Sequence, residues 1–210
     1  MEHTFWRSRW SEGRTGFHEG TPNGFLARHA DWLAGCRRIL VPLCGKTEDL
    51  AYLAGLGHEV VGVELVEDAV RQFFAEHAAT PAITARDGLV QYSTGAITVL
   101  AGDFFATTPA LVGAIDGIYD RAALIALPPP LRTRYVAHLR ELAPAATREL
   151  LVTVDYPDGS AEGPPFSVDE TEVRGHFAGK PVTLVDSAPE PRGRAGGKMV
   201  ERCYTIALAA

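Results

Sequence analysis

From residue 38 onward, short continuous apolar runs alternate with segments whose apolar positions recur every three or four residues. Residues 38–43 (RILVPL) and 58–63 (HEVVGV) are runs of strand length, and apolar on both sides of the pleat. Between them Thr47, Glu48 and Asp49 suit a helix N-terminus, so a helix is predicted over 48–55 with Gly57 closing it. A second helix is predicted over 67–77, with Val70, Phe73 and Phe74 on one face. Residues 88–101 carry two short runs around Thr94 and Gly95, a hairpin leading into a strand at 97–100. Further strands are expected at 114–119 and 149–154, with a helix at 132–142 whose start follows the prolines at 128–130. A helix at 168–177 and strands at 182–186 and 201–208 complete the pattern.

Such alternation predicts an α/β chain: a doubly wound, mostly parallel sheet of seven strands with helices on both faces. The last two strands have no helix between them, which predicts an antiparallel edge. Residues 26–35 read as a short helix before Gly35. Residues 1–25 fit neither period and interleave aromatic and glycine residues with charges, so they stand apart from the core at 26–210. No repeat or linker divides the chain, and one domain over residues 1–210 is expected.

Composition removes several classes. The chain is 46% hydrophobic and 22% charged with a formal net charge of −6, which suits a globular domain and lacks the footprint of a nucleic-acid binder. Three cysteines without a CxxC argue against a disulfide framework or structural zinc. No apolar run reaches the ~20 residues of a membrane span, and the start of the chain has no apolar signal core. A cytoplasmic monomer that binds small molecules rather than nucleic acid or membrane is the expectation. All three tryptophans, Trp6, Trp10 and Trp32, fall early in the chain.

In a sheet of this kind ligands bind beyond the carboxyl ends of the strands. After the first strand, Gly45-Lys46-Thr47 suggests a phosphate loop, but the glycine required five positions before Gly45 is Leu40. The dinucleotide pattern GxGxxG is also absent. Gly45 still lets a ligand approach the backbone closely, or it is only a turn residue. Glu64 ends the second strand about 20 residues later, where a carboxylate can accept from both ribose hydroxyls or cap the next helix. Asp103, beside Phe104 and Phe105, can hold an adenine or act as an N-cap. Arg121, after the fourth strand, suits an anionic group or pairs locally with Asp120. Together these place a nucleoside over the sheet without a pyrophosphate cradle, which favours S-adenosylmethionine over NAD or ATP. Cys44 has no histidine nearby in sequence, and the seven histidines show no metal-binding spacing, so no metal is expected.

Longer segments carry a resemblance. They are Phe5-Trp6-x-x-Arg9-Trp10 with Gly16-Phe17-His18, Val41-Pro42-Leu43-Cys44-Gly45-Lys46, and Gly57-His58 through Glu64. Gly102-Asp103-Phe104-Phe105, Tyr119-Asp120-Arg121 through Pro128, and Gly163-Pro164-Pro165-Phe166-Ser167-Val168 follow. Over nearly its whole length the sequence resembles the thiopurine S-methyltransferases, Rossmann-like enzymes that use S-adenosylmethionine. The resemblance implies that Trp10, Leu43, Glu64 and Arg121 line the cofactor site, with adenine near Gly102, Asp103 and Phe104. It implies an N-terminal lid containing Trp6, Trp10 and Phe17, and an arginine, Arg121, beside the reacting anion. The acceptor implied is the sulfur of a small aromatic or heterocyclic thiol. Another soft nucleophile (selenite, tellurite, halide, thiocyanate or a natural thiol) and a non-catalytic binding module remain as alternatives. One departure concerns the loop before the last strand, where relatives place a substrate-facing arginine in an aromatic stretch. Here the loop holds Arg192 and Arg194 and no aromatic, so either arginine is a candidate.

Overall fold

In the computed structural model, which describes residues 3–14 and 18–209, the chain enters through helices α1 (His3–Ser11) and α2 (Gly24–His29). It continues through β1 (Arg38–Pro42), α3 (Asp49–Gly55), β2 (Glu59–Glu64), α4 (Glu67–Glu76), β3 (Ala82–Arg86), β4 (Leu89–Thr94) and β5 (Ile97–Ala101). The remainder is α5 (Pro109–Val112), β6 (Gly117–Arg121), α6 (Pro129–Leu142), β7 (Arg148–Asp155), α7 (Glu170–His176), β8 (Val182–Pro189) and β9 (Val200–Ala207). All strands join one sheet in the order β3-β4-β5-β2-β1-β6-β7-β9-β8. The stretch from β5 to β7 is parallel, and β3–β4 and β9–β8 flank it as antiparallel pairs.

The mostly parallel α/β sheet agrees with the pattern of the sequence, but its size does not. The expected seven strands are nine, and antiparallel strands lie at both edges rather than one. The physical reason is exposure. All five residues of β3 (AITAR) face solvent, so no apolar run marks it. β4, the first arm of the expected hairpin, buries only Leu89 and Tyr92. The expected strand at 114–119 is displaced, and β6 runs on to end at Arg121. The aperiodic N-terminal segment contains helix α1. Among the described residues no helix is long and apolar enough to cross a membrane.

Strand alternation explains the continuous apolar runs. Leu40 of β1 packs with Val61, Ile118, Tyr135 and Leu139 on the α6 side of the sheet. Its neighbours Ile39 and Val41 pack with Phe25, Leu50, Leu53 and Phe73 on the side of α2, α3 and α4. A strand covered on both faces has no polar position to spare. Strand order reverses between β1 and β6, since the chain builds outward to β2 and β5 before returning to β6. A crevice opens at such a reversal, at the carboxyl ends of the strands.

β2 reaches this end under tight packing. A Cβ at Gly62 would stand 2.8 Å from Cys44 Sγ and 3.4 Å from Val99 Cγ2. Gly62→Ala should therefore destabilise the protein by about 1–3 kcal/mol in urea denaturation. In a Cys44→Ala background the penalty should shrink, because the obstructing sulfur is gone. An equal penalty in both backgrounds would place the strain elsewhere.

Candidate active site

The turn after β1 is backbone-built. Cys44 N–H donates to Val63 O at 3.0 Å, extending the β1–β2 ladder by one step. Leu43 and Gly45 then adopt left-handed φ of 46° and 57°. This turn aims the Gly45 N–H at Glu64, whose Oε2 accepts at 2.7 Å, while Glu64 Oε1 accepts from Val66 N–H at 2.7 Å. The Glu64 carbonyl in turn accepts from Gly102 N–H at 2.8 Å, so one residue joins the ends of β1, β2 and β5. Burial pushes the Glu64 carboxyl up to about 7, against the two N–H donors that favour its anion. Each carboxylate oxygen can accept a further hydrogen bond beyond the amide it already holds.

A second set of polar contacts fixes the end of β6. Arg121 pairs with Glu19, and Glu19 Oε2 accepts from Asn23 Nδ2 at 3.3 Å. Asn23 N–H donates to Asp49 Oδ1 at 2.7 Å, and Tyr119 OH donates to Asp49 Oδ2 at 3.0 Å. Asn23 Oδ1 also caps α2 by accepting from Phe25 N–H at 3.0 Å. The segment preceding α2 is thereby tied to both α3 and β6. Burial raises the Asp49 carboxyl and raises the Tyr119 phenol further.

Between these two clamps lies a cavity of about 510 Å³. Trp6 and Trp10 of α1, Leu43, Gly45, Glu64, Arg121, Arg192 and Arg194 all line it. Trp10 is buried against Val66 and Ala69, and Trp6 and Leu65 pack on the same cluster. The loop bearing the two late arginines is organised by buried Glu190, whose Oε2 accepts from the N–H groups of Arg192 and Arg194 at 3.1 Å each. A smaller cavity of about 200 Å³ contains Asp103, Phe104, Phe105, Arg134 and Tyr135, and shares Leu43 and Leu65 with the larger one.

The two cavities hold the sequence-predicted site residues except Gly102, which lines neither, and Phe17, which lies outside the described residues. At Asp103 the alternative also holds: its side chain caps the turn Phe104–Ala106 by accepting from Phe105 N–H at 3.0 Å. The Phe104 ring is buried in the core, 5.1 Å from both Tyr135 and His138. Cys44 is enclosed and its thiol is pushed well above the ordinary value, so it is a poor nucleophile. Sequence reasoning missed His18, Lys46, Asp49, Tyr119 and Glu190 as parts of the site. Asp49 reads in sequence as a helix-start residue, and nothing in a linear pattern pairs it with Asn23. His18 and Lys46 stand inside segments that carry the family resemblance, yet no spacing rule assigns them a partner.

The fold is that of the Rossmann-like methyltransferases. Magnesium protoporphyrin IX methyltransferase from Synechocystis, solved with bound S-adenosylhomocysteine, superposes with a TM-score of 0.65 over 99% of this chain and 100% of that one, at 15% identity. The 1,6-didemethyltoxoflavin N1-methyltransferase of Burkholderia thailandensis gives 0.61 over 98% and 86%, at 18% identity. Sheet order and cavity thus share the arrangement of that fold, with the crevice at the strands' carboxyl ends. Residues 1–201 match the family described as thiopurine S-methyltransferase. The thiopurine S-methyltransferase of a Pseudomonas paraeruginosa strain is 50% identical over 181 residues, covering 85% of this chain and 83% of that protein. One from Pseudomonas fluorescens is 41% identical over 215 residues, covering 98% and 97%. The chain belongs to the thiopurine S-methyltransferase family.

Asp49→Ala should leave the Asn23 amide and the Tyr119 hydroxyl buried without acceptors, at about 1–3 kcal/mol for each unsatisfied group. Accelerated hydrogen exchange at the Asn23 amide is the expected local signature, and unchanged exchange would show that the clamp is replaced by water.

Proposed function

We propose that the protein transfers the methyl group of S-adenosylmethionine to the sulfur of a small aromatic or heterocyclic thiol. The observation that carries this reading is one cavity lined by both Glu64 and Arg121 at the sheet's switch point. Its volume of about 510 Å³ is in the range of small-molecule sites. S-adenosylmethionine, when bound, supplies an electrophilic methyl group on a sulfonium.

In this reading Glu64 uses its spare accepting capacity for the ribose hydroxyls, and Gly45 and Leu43 let the backbone approach the methionine part. The smaller cavity, with Asp103 and Phe104, receives the adenine. Residues 1–25 act as a lid on a single domain whose core is 26–210, and Trp6 and Trp10 of that lid line the cavity. An aromatic face beside a sulfonium adds roughly 0.5–2 kcal/mol of cation–π attraction. Arg121 steadies the anionic sulfur, and Arg192 or Arg194 contacts the acceptor's far end. Lys46, Arg9 and Arg14 also line the cavity, alongside the carboxylates of Glu19, Asp49, Glu190 and Glu201. Val41, Leu65, Ile125, Val152 and Met199 make the remaining wall largely apolar. Holding the two reactants in line within that wall lowers the barrier by restricting their relative motion.

Two measurements test the assignment. Glu64→Ala should weaken S-adenosylhomocysteine binding in isothermal titration at least tenfold, the cost of about 1.4 kcal/mol or more in lost charged hydrogen bonds. In the wild type, affinity should be flat above pH 7 and fall toward ~tenfold per unit below it as Glu64 gains a proton, a dependence that Glu64→Gln removes. Arg121→Ala should instead lower the methylation rate of an aromatic thiol by about 10–100-fold, with a smaller effect on S-adenosylhomocysteine affinity. Unchanged binding in Glu64→Ala would refute the site assignment.

A further inference from the structure

His18 lies between α1 and Asn23, next to the Glu19 that Arg121 holds. Its ring lines the larger cavity together with Lys46, Tyr119 and Arg121. Nδ1 is buried and has no hydrogen-bond partner among the described residues. A buried ring nitrogen without a partner is unfavourable, and a donor arriving beside it offsets that cost.

Four of the other groups able to accept a proton in this cavity already hold backbone amides, hydroxyls or ion pairs. Glu64 holds two amides, Asp49 holds Asn23 and Tyr119, and Glu19 holds Arg121. Glu190 accepts from the Arg192 and Arg194 amides, and Glu201 stands in the fields of Arg121 and Arg192. The charges that face His18 are Lys46 and Arg121, opposed by Glu48 and Glu76. Glu76 is itself paired with Lys46 at 2.5 Å, and Glu48 with His77 at 3.1 Å. Burial first, and the Lys46 charge second, hold the His18 imidazole below its ordinary value, so it is neutral at neutral pH and keeps a lone pair.

We propose that His18 is the proton acceptor for thiols that reach the site un-ionised, a role that rests on the reading of thiol methylation above. As the thiol enters, the imidazole turns to bring Nδ1 from its buried position to the cavity; the S–H bond breaks and the proton passes to Nδ1, with the ring hydrogen of the neutral tautomer on Nε2. The sulfur's electron pair forms the new C–S bond as the sulfonium's methyl C–S bond breaks, its pair staying on the donor sulfur. The products are a thioether, S-adenosylhomocysteine and an imidazolium, which returns its proton to water. Arg121 steadies the sulfur anion whether it forms on the enzyme or arrives formed. His18 therefore extends the acceptor range from acidic aromatic thiols to weakly acidic alkyl thiols.

The test compares 2-phenylethanethiol, un-ionised at neutral pH, with 4-nitrobenzenethiol, which is ionised there, on wild type, His18→Gln and His18→Ala. At pH 7 the variants should lose about 100-fold or more in kcat/KM on the alkyl thiol, the usual scale of general-base catalysis, and at least tenfold less on the aryl thiol. Raising the pH toward the alkyl thiol's own ionisation should recover the variants. A second readout needs no turnover: the His18 Nδ1 nitrogen resonance of wild type should shift when 2-phenylethanethiol joins the S-adenosylhomocysteine complex. Equal losses on both thiols, or no resonance shift, would overturn the proposal and leave thiol methylation standing. If wild type binds S-adenosylhomocysteine yet methylates neither thiol, the broader reading falls and this one with it.

Discussion

A buried carboxylate governs the geometry of this site. Glu64 gives up most of its hydration and recovers it through two amides at 2.7 Å, one from each neighbouring turn. Remove it and the Gly45 and Val66 N–H groups lose their acceptors at the carboxyl ends of two strands. With it in place, the turn after β1 can hold Leu43 in the left-handed region, a conformation that costs an L-residue roughly 1–2 kcal/mol. Ala122, just beyond β6, takes the same region with φ of 61°. Both strands that flank the switch point thus leave the sheet through strained residues, and the surrounding hydrogen bonds keep them there.

The N-terminal segment is anchored at two separated places. Trp10 rests on Val66 and Ala69, beside the amide that Glu64 accepts from, while Glu19 and Asn23 grip Arg121 and Asp49. Residues on either side of the cavity are thereby fixed to the core by contacts of two kinds. The first anchor is apolar and the second charged, so salt acts mainly on the second. A residue between anchors, as His18 is, has its position set by both.

How far this was legible in the sequence depended on burial. β1 and β2 announced themselves because both faces are covered, and Glu64 followed from the end of β2. β3 escaped because all of its residues are exposed, which erases the alternation that marks a strand. At the site, Gly45, Glu64 and Arg121 could be placed from strand ends alone. Asp49 could not, since its partners Asn23 and Tyr119 lie 26 and 70 positions away. Glu190 was equally hidden: its role is to accept backbone amides in its own loop, which no pattern of side chains records. The Rossmann-like reading survived the miscounted strands because β3, which no pattern marked, lies at the margin of the sheet, while the hairpin of β4 and β5 formed as expected.

The three tryptophans also divide unevenly by location. Trp32 is fixed on the far side of this arrangement, its indole N–H donating to the Glu149 carbonyl at 3.0 Å with Arg148 over its ring. Trp6 and Trp10 stand at the cavity. Excited in the near ultraviolet, the molecule therefore carries two emitters at the ligand's doorstep and one that serves as an internal standard. Its own fluorescence can thus report on the surroundings of the cavity without any label.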